Sequence, residues 1–305
     1  MSRAHPANVA ASVRQRLLNL SRNRGEDFNL ILTWYGIERL LYRLTKTSHA
    51  DQFVLKGALL FALWTGKLHR PTRDLDLLGH GTSSDQRLTE VFREVCLVDV
   101  QPDGLIFDPD SVWVAEIGAT EEYQGRRVRL LAMLGKARIH LQVDVGFGDA
   151  VTPPAQELEY PTLLDFPAPR LRVYPKETVV AEKLQAMVVL GILNSRMRDF
   201  FDVWFMSKML EFDGPMLARA IQATFERRRT AIPEVAPVAL TDQFALEPDK
   251  ITQWRAFLNR NRLDVGGDEL RSIIQQLYRF LMPPLSALAN GLEWQKTWPA
   301  GGPWA

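Results

Sequence analysis

Apolar residues in the first half of the chain follow two spacings, one typical of helices and one typical of strands. Between Phe28 and Leu44 they recur every three or four positions, which predicts a helix over residues 29–46, after a basic helix over residues 9–22. Alternation of apolar and polar residues predicts strands over residues 52–56, 73–78, 105–107, 112–116, 126–134 and 138–147. Apolar runs predict further helices over residues 58–64 and 84–95. This half is expected to be mixed α/β.

A segment with five prolines, between residues 153 and 169, separates this half from a helical one. Helical spacing predicts helices over residues 175–190, 198–210, 214–227, 251–262 and 268–281. The tail from Gly291 is rich in Trp, Pro and Gly, and is expected to be irregular. We therefore predict an α+β protein with a mixed-sheet domain and flanking helices over residues 1–170, followed by a helical C-terminal domain over residues 171–305.

Composition narrows the class of protein. The single Cys96 excludes an intrachain disulfide and a Cys-based zinc site, and no run of eighteen apolar residues occurs in the 305 residues. We expect a cytoplasmic protein that is neither exported nor membrane-spanning. The net charge of +1 gives no general attraction to nucleic acid, although Arg126–Arg129 and Arg227–Arg229 form either local basic patches or solvated surface.

Three aspartates are the first candidates for chemistry. The period of two in a strand sends Asp74 and Asp76 to one face, and alternation places Asp144 on the polar face of a later strand. If the two strands are neighbours, three carboxylates surround one Mg²⁺ or Mn²⁺ ion, because hard cations prefer oxygen ligands. The alternative is that these are scattered surface aspartates.

A glycine turn precedes them. Lys56, Gly57 and Ala58 lie between a predicted strand and a predicted helix, where backbone N–H groups could hold a triphosphate. A plain turn glycine is the alternative at this position. The order of glycine turn, Asp-x-Asp strand and later lone Asp resembles the polymerase-beta nucleotidyltransferase superfamily.

A closer resemblance, to the AbiEii/AbiGii toxin nucleotidyltransferases, is carried by six stretches: Tyr35–Tyr42, Phe53–Ala58, Arg70–Asp76, Val143–Asp149, Tyr174–Lys183 and Asn194–Asp202. It implies a catalytic Asp-x-Asp at Asp74 and Asp76, an essential Lys183, and a functional acid in the Asp199/Asp202 motif. With it, we predict a nucleotide-binding set of Lys56, Gly57, Ala58, Arg73, Lys183, Arg196, Asp199 and Asp202. The chain departs from the pattern at Ala58, where Ser is frequent, and at Arg198, where Lys is frequent.

Lys183 is also notable from the sequence itself. Its helical neighbours three and four residues away are apolar, and a buried ammonium needs either an anion or a path to the surface. Asp199 and Asp202 could brace Lys183 or Arg196, or could be solvated. The histidines lack metal-binding spacing, and we interpret the tryptophans as core or tail residues rather than base-stacking platforms.

The expected function is transfer of a nucleoside monophosphate from an NTP to an acceptor, with pyrophosphate as the second product. Asp74 and Asp76 would hold Mg²⁺, Gly57 and Lys183 would hold the triphosphate, and Asp144 would deprotonate or position the attacking hydroxyl. The resemblance implies a toxin with a cognate antitoxin, acting on a tRNA 3′ end. The basic segments Arg227–Arg229 and Arg255–Arg262 are expected to bind the phosphates of that RNA. The alternatives are transfer to a protein hydroxyl, hydrolysis, or a catalytically idle NTP- or RNA-binding module.

Overall fold

A computed structural model of the chain describes residues 6–117, 125–267 and 269–305. The chain divides into two compact units, one of Met1–Gly148 with Gln156–Val173 and one of Asp149–Ala155 with Tyr174–Ala305. Compared with the division that we expected after residue 170, the short segment Asp149–Ala155 belongs to the second unit. No helix in the described part of the chain is long and apolar enough to cross a membrane.

A mixed sheet organises the first unit. Its strands are β1 (Phe53–Lys56), β2 (Asp74–Gly79), β3 (Leu105–Ile117), β4 (Gly125–Leu134), β5 (Ala137–Phe147), β6 (Gln156–Glu159) and β7 (Arg170–Val173). In the described part of the chain these seven strands form one sheet, in the order β3-β4-β5-β2-β1-β7-β6. The central pair β2–β5 is parallel, as is β1–β7, and the other neighbours are antiparallel. A mixed sheet was predicted, and it is confirmed.

Helices α1 (Pro6–Arg24), α2 (Phe28–Leu44) and α4 (Asp85–Leu97) pack against this sheet. The short helix α3 (Leu60–Thr65) follows β1. Helix α2 packs against β5, where an added Cβ on Gly36 would lie only 3.0 Å from Leu141 Cδ2. The apolar positions of β2, β4 and β5 are buried: Leu75, Leu77, Val128, Leu130, Leu141 and Val143. Because side chains alternate along a strand, the polar positions of the same strands occupy the opposite face.

Charged residues of α2 also form buried ion pairs. Arg43 donates to both carboxylate oxygens of Asp103, at 2.7 and 3.1 Å. Arg39 Nε lies 3.0 Å from Glu38 Oε1, and the Leu163 backbone N–H donates to Glu38 Oε2 at 2.6 Å. Burial raises the pKa of Glu38 to about 7, although Arg39 and this hydrogen bond oppose the increase.

The second unit is mainly helical, as the sequence predicts. Its elements are α5 (Lys176–Leu190), α6 (Met197–Met209), β8 (Phe212–Asp213), α7 (Gly214–Arg227), α8 (Asp242–Ala245), α9 (Pro248–Asn261), α10 (Leu270–Ala289) and β9 (Thr297–Trp298). Helix α10 continues through Pro283 and Pro284, past the predicted end at residue 281. Burial of Leu281 and Leu285 offsets the two missing backbone donors.

Several described segments differ from the sequence-based prediction, including β8 and α8, which were not predicted. Strands β6 and β7 were not predicted in the proline-bearing segment, and the two runs at 105–107 and 112–116 form one irregular strand, β3. The tail is not wholly irregular, because Trp298 in β9 is 1% exposed and lies against Phe280, with ring centroids 4.9 Å apart. The Trp298 indole N–H donates to the Ser207 carbonyl at 2.7 Å.

Candidate active site

Four charged residues form a row across adjacent strands of the first unit. Asp76 on β2 lies opposite Lys56 of β1 on one side and opposite Asp144 of β5 on the other. Asp144 in turn lies opposite Arg127 of β4. Residues in register project to the same face, so the order across the sheet is Lys56, Asp76, Asp144, Arg127. Two cations therefore flank two carboxylates.

Asp74 extends this arrangement along β2. It lies two residues before Asp76 and opposite Gln142 of β5, while the intervening Leu75 is buried in the core. The neighbouring strands that the three-aspartate hypothesis requires are thus present. Paired carboxylates on one strand face supply the hard oxygen ligands that Mg²⁺ takes before completing its shell with water and phosphate, so Asp74 and Asp76 fit the ion.

Asp144 has a different environment. Arg127 donates to it twice, from Nε to Oδ1 at 2.8 Å and from Nη2 to Oδ2 at 2.8 Å. Within the described residues, no group of three or more His, Cys, Asp or Glu side chains is arranged to hold a metal ion. The metal role of Asp144 stays a prediction. Each oxygen keeps a second lone pair, through which Asp144 can still accept a hydrogen bond.

Arg127 is the functional candidate that the sequence reasoning missed. The hydrogen bonds to Asp144 raise the pKa of its guanidinium, and the charges of Asp144, Asp74 and Asp76 act in the same direction. From the sequence, Arg127 was predicted only as part of a general basic cluster. The period of two could have found it, because Arg127 and Arg129 alternate with the buried Val128 and so belong to the polar face.

Gly57 makes room for a carboxylate. Its φ of +76° is in the left-handed region, and a Cβ added there would lie 2.0 Å from Asp76 Oδ2. A side chain is therefore excluded by both backbone conformation and contact. From the sequence, Gly57 was expected to permit the approach of a phosphate, whereas the group that approaches it in the structure is Asp76. Of the other predicted nucleotide-binding residues nearby in the chain, Ala58 is buried and Arg73 is exposed.

In the second unit, Lys183 of α5 meets two acids of α6. Its Nζ lies 2.5 Å from Asp199 Oδ1 and 3.0 Å from Asp202 Oδ2. The Asp202 side chain is 1% exposed and that of Lys183 is 16% exposed, so this is a largely buried ion cluster. The Lys183 ammonium is therefore paired with carboxylates, as one of the two sequence-based alternatives predicted, and does not simply extend to the surface. Arg196 is exposed at the start of α6.

The expected basic patch at Arg227–Arg229 needs correction. Arg228 donates to Asp149 Oδ1 at 3.0 Å and to Gln185 Oε1 at 2.9 Å, and lies 3.5 Å from Glu182 Oε2. Its side chain is 12% exposed, which makes Arg228 a structural residue. The remaining arginines of the two predicted segments are exposed: Arg227, Arg229, Arg255, Arg260 and Arg262.

The interpretation of all tryptophans as core or tail residues is also wrong for Trp113. Its side chain on β3 is 52% exposed. The guanidinium of Arg129 lies over its ring, 5.4 Å from the centroid. Arg126, also in the predicted 126–129 cluster, pairs instead with Asp85 at 2.7 Å and lies 3.5 Å from Glu116.

Comparison with known proteins gives the family. A solved structure of JHP933 from Helicobacter pylori is 17% identical with a TM-score of 0.44, covering 83% of this chain and 86% of that one. A second structure from H. pylori, described as a candidate nucleotidyltransferase, has the same identity and TM-score and covers 83% of this chain and 89% of its own. No curated protein matches the chain. A family model of the nucleotidyl transferase AbiEii toxin of type IV toxin–antitoxin systems matches residues 39–275, and the chain therefore belongs to the AbiEii family.

Proposed function

We propose that the chain transfers a nucleoside monophosphate from an NTP to a hydroxyl of RNA, at a tRNA 3′ end, in a reaction that depends on Mg²⁺ bound by Asp74 and Asp76. Membership of the family implies a nucleotidyl transferase toxin with a cognate antitoxin. The observation that carries the finer proposal is the register of β2 and β5, which sets Asp76 opposite Asp144 with Asp74 beside them on one polar face.

The reaction breaks the bond between the α-phosphorus and the pyrophosphate group while the acceptor oxygen bonds to that phosphorus. When bound, Mg²⁺ would neutralise charge on the triphosphate and on the leaving pyrophosphate. Asp74 and Asp76 supply its protein oxygens. Asp144 would accept a hydrogen bond from the attacking hydroxyl through a lone pair that Arg127 leaves open, and so orient that hydroxyl and receive its proton.

The chain's own cations complete this proposal. Lys56 and Arg127 flank the carboxylates in the row and limit their mutual repulsion before the ion binds. Gly57 admits the Asp76 carboxylate, and its neighbours contribute backbone N–H groups toward the triphosphate. Lys183 is retained as a nucleotide-binding residue, as the family resemblance implies, with Asp199 and Asp202 fixing its ammonium.

The test is to incubate the purified protein with Mg²⁺, each labelled NTP in turn and total RNA, and to measure both pyrophosphate and label on RNA. We expect both signals with at least one NTP, and neither with Asp74→Asn or Asp76→Asn. Asp110→Asn, at an exposed acid of β3, is the matched control and should be active. Label on protein alone would favour a protein acceptor. If no pyrophosphate is released with any NTP, an idle binding module is favoured. If phosphate is released but RNA is not labelled, hydrolysis is favoured.

A further inference from the structure

The polar face that carries the three aspartates continues across the outer strands β3, β4 and β5. On β3 the side chain of Val112 is buried, and Trp113 therefore points to the opposite face, where it is half exposed. On β5, Arg138 and His140 precede Gln142 and Asp144 at the same period of two, and both are exposed. We call Trp113, Arg129, Arg138 and His140 the basic face.

The register ties the basic face to the carboxylates. Trp113 lies opposite Arg129, and Arg129 lies opposite Gln142. Gln142 lies opposite Asp74, so a straight row across four strands joins the exposed ring to the first aspartate. Three strand spacings separate its ends, roughly 14 Å. That distance suits a few nucleotides of an extended single strand whose terminal hydroxyl lies at the aspartates.

The chemistry of the face favours a nucleic acid. An exposed indole offers a flat surface for any base, and the Arg129 guanidinium over its ring, 5.4 Å from the centroid, holds one side of the indole in place. Arg129 and Arg138 would neutralise backbone phosphates that must pass close to the aspartates. A localised set of cations is needed for this, because the chain as a whole has a net charge of only +1.

We propose that the basic face binds the single-stranded end of the acceptor RNA, with one base stacked on Trp113 and a phosphate on Arg129. The inference rests on the proposed function for the identity of the reaction, but it assigns the acceptor to a surface and to residues of the first unit. The basic face, rather than the arginine segment around Arg228, is then the surface that binds the acceptor end. The base stack is sequence-tolerant, since every base has a π-face.

The test measures binding of a fluorescently labelled single-stranded oligoribonucleotide by anisotropy, alongside KM for RNA and KM for NTP. Trp113→Leu keeps apolar bulk but removes the aromatic face, and should weaken binding about tenfold, within the range for one base–aromatic stack. Trp113→Phe should retain most of the affinity. Arg129→Gln should lower the slope of log affinity against log salt by about 1. Trp113→Leu and Arg129→Gln should each raise KM for RNA and leave KM for NTP unaltered.

Matched controls lie elsewhere in the first unit. Leu97→Ala removes an apolar side chain that is 70% exposed, and Arg22→Gln removes an exposed cation of α1, and neither should change RNA affinity. If Trp113→Leu binds RNA as wild type does, the proposal is overturned, and a protein-binding face becomes the better explanation because such a face tolerates Leu. Failure of the wild-type protein to bind the oligoribonucleotide at low salt overturns it too. Trp113-dependent binding without transfer from any NTP would support the site and contradict the proposed function.

Discussion

The Asp76 carboxylate lies over the α-carbon of Gly57, so that a Cβ at position 57 would stand 2.0 Å from Oδ2. The position of a proposed metal ligand thus depends on the absence of a side chain at the residue that directly follows the neighbouring strand β1. We expect Gly57→Ala to displace Asp76 and to abolish transfer, in addition to the cost of about 1–2 kcal/mol for a left-handed alanine. Thermal unfolding and pyrophosphate release measure the two effects.

Gly66 offers the matched control for that substitution. It has nearly the same φ, +75° against +76°, but an added Cβ would meet nothing within 4 Å. Gly66→Ala should therefore lose similar stability from backbone strain while retaining transfer. If Gly57→Ala and Gly66→Ala behave alike in both assays, the contact with Asp76 has no functional importance.

Glu38 predicts a pH dependence of stability. Burial raises its pKa to about 7 in the folded protein from 4.5, so the folded state binds an extra proton between these values. Its contribution to stability is present below pH 4.5 and is lost as the pH rises through about 7. Relative to Glu38→Gln, which does not titrate, wild type should lose roughly 2–3 kcal/mol between pH 5 and pH 8. The free energy of unfolding of both proteins is measured by denaturant at the two pH values. An equal difference between wild type and Glu38→Gln at pH 5 and pH 8 would contradict this prediction.

Sequence patterns predicted the strands of the site because alternation identifies a face from local information. Asp74, Asp76 and Asp144 each follow from the period of two along their own strands. Which strands are neighbours is not local, and the contact of Arg127 with Asp144 depends on the pairing of β4 with β5. The sequence therefore predicted the carboxylates but not the guanidinium that binds one of them.

Runs of charged residues in the sequence were the least informative guide to which side chains form a binding surface. Arg227 and Arg228 are adjacent in the sequence, but the side chain of Arg227 is exposed, whereas that of Arg228 is largely buried beside Asp149 and Glu182. The distinction depends on a tertiary contact between Arg228, the residue after α7, and Asp149, which no local pattern encodes. By contrast, the apolar neighbours of Lys183 did indicate a buried ammonium, because helical spacing is local.

Those two arginines give a direct test. Arg228→Glu would place a third carboxylate beside Asp149 and Glu182, and we expect it to destabilise the fold by about 3–5 kcal/mol. Arg227→Glu, with the same change in net charge at an exposed position, should shift stability by no more than about 0.5 kcal/mol. Denaturant unfolding followed by circular dichroism measures both. Equal stability of the two variants would show that the Arg228 contacts are unimportant.

For Lys183, structural and functional effects must be separated. Lys183→Met leaves Asp199 and the buried Asp202 side by side without the ammonium, and should cost about 3–5 kcal/mol. Adding Asp199→Asn and Asp202→Asn removes the like charges and should restore most of the stability. If Lys183 binds the nucleotide, this folded triple variant remains unable to transfer. Activity in the triple variant would make Lys183 a purely structural residue.

The last prediction concerns Arg127 and the divalent ion. Arg127 engages both oxygens of Asp144, so the guanidinium and the ion compete for the same carboxylate. Arg127→Leu should leave Asp74, Asp76 and Asp144 mutually repelling, which lowers the melting temperature in the absence of metal. Mg²⁺ should then raise that temperature more in the variant than in wild type, because the ion gains Asp144 as a ligand and binds only the folded state.

The matched control for Arg127→Leu is Arg129→Leu, which removes the same charge two residues along β4. Arg129 lies over the Trp113 ring and opposite Gln142, whereas Arg127 lies opposite Asp144. Its melting temperature should respond to Mg²⁺ as wild type does, at constant ionic strength. Titration of metal-free protein with Mn²⁺, followed by the loss of the free-ion electron paramagnetic resonance signal, provides a second readout that is independent of activity. Tighter Mn²⁺ binding by Arg127→Leu alone is the expected result. Equal Mg²⁺ responses and equal Mn²⁺ affinities in all three proteins would mean that Asp144 does not bind the ion even when Arg127 is absent, so that its role is confined to the acceptor hydroxyl.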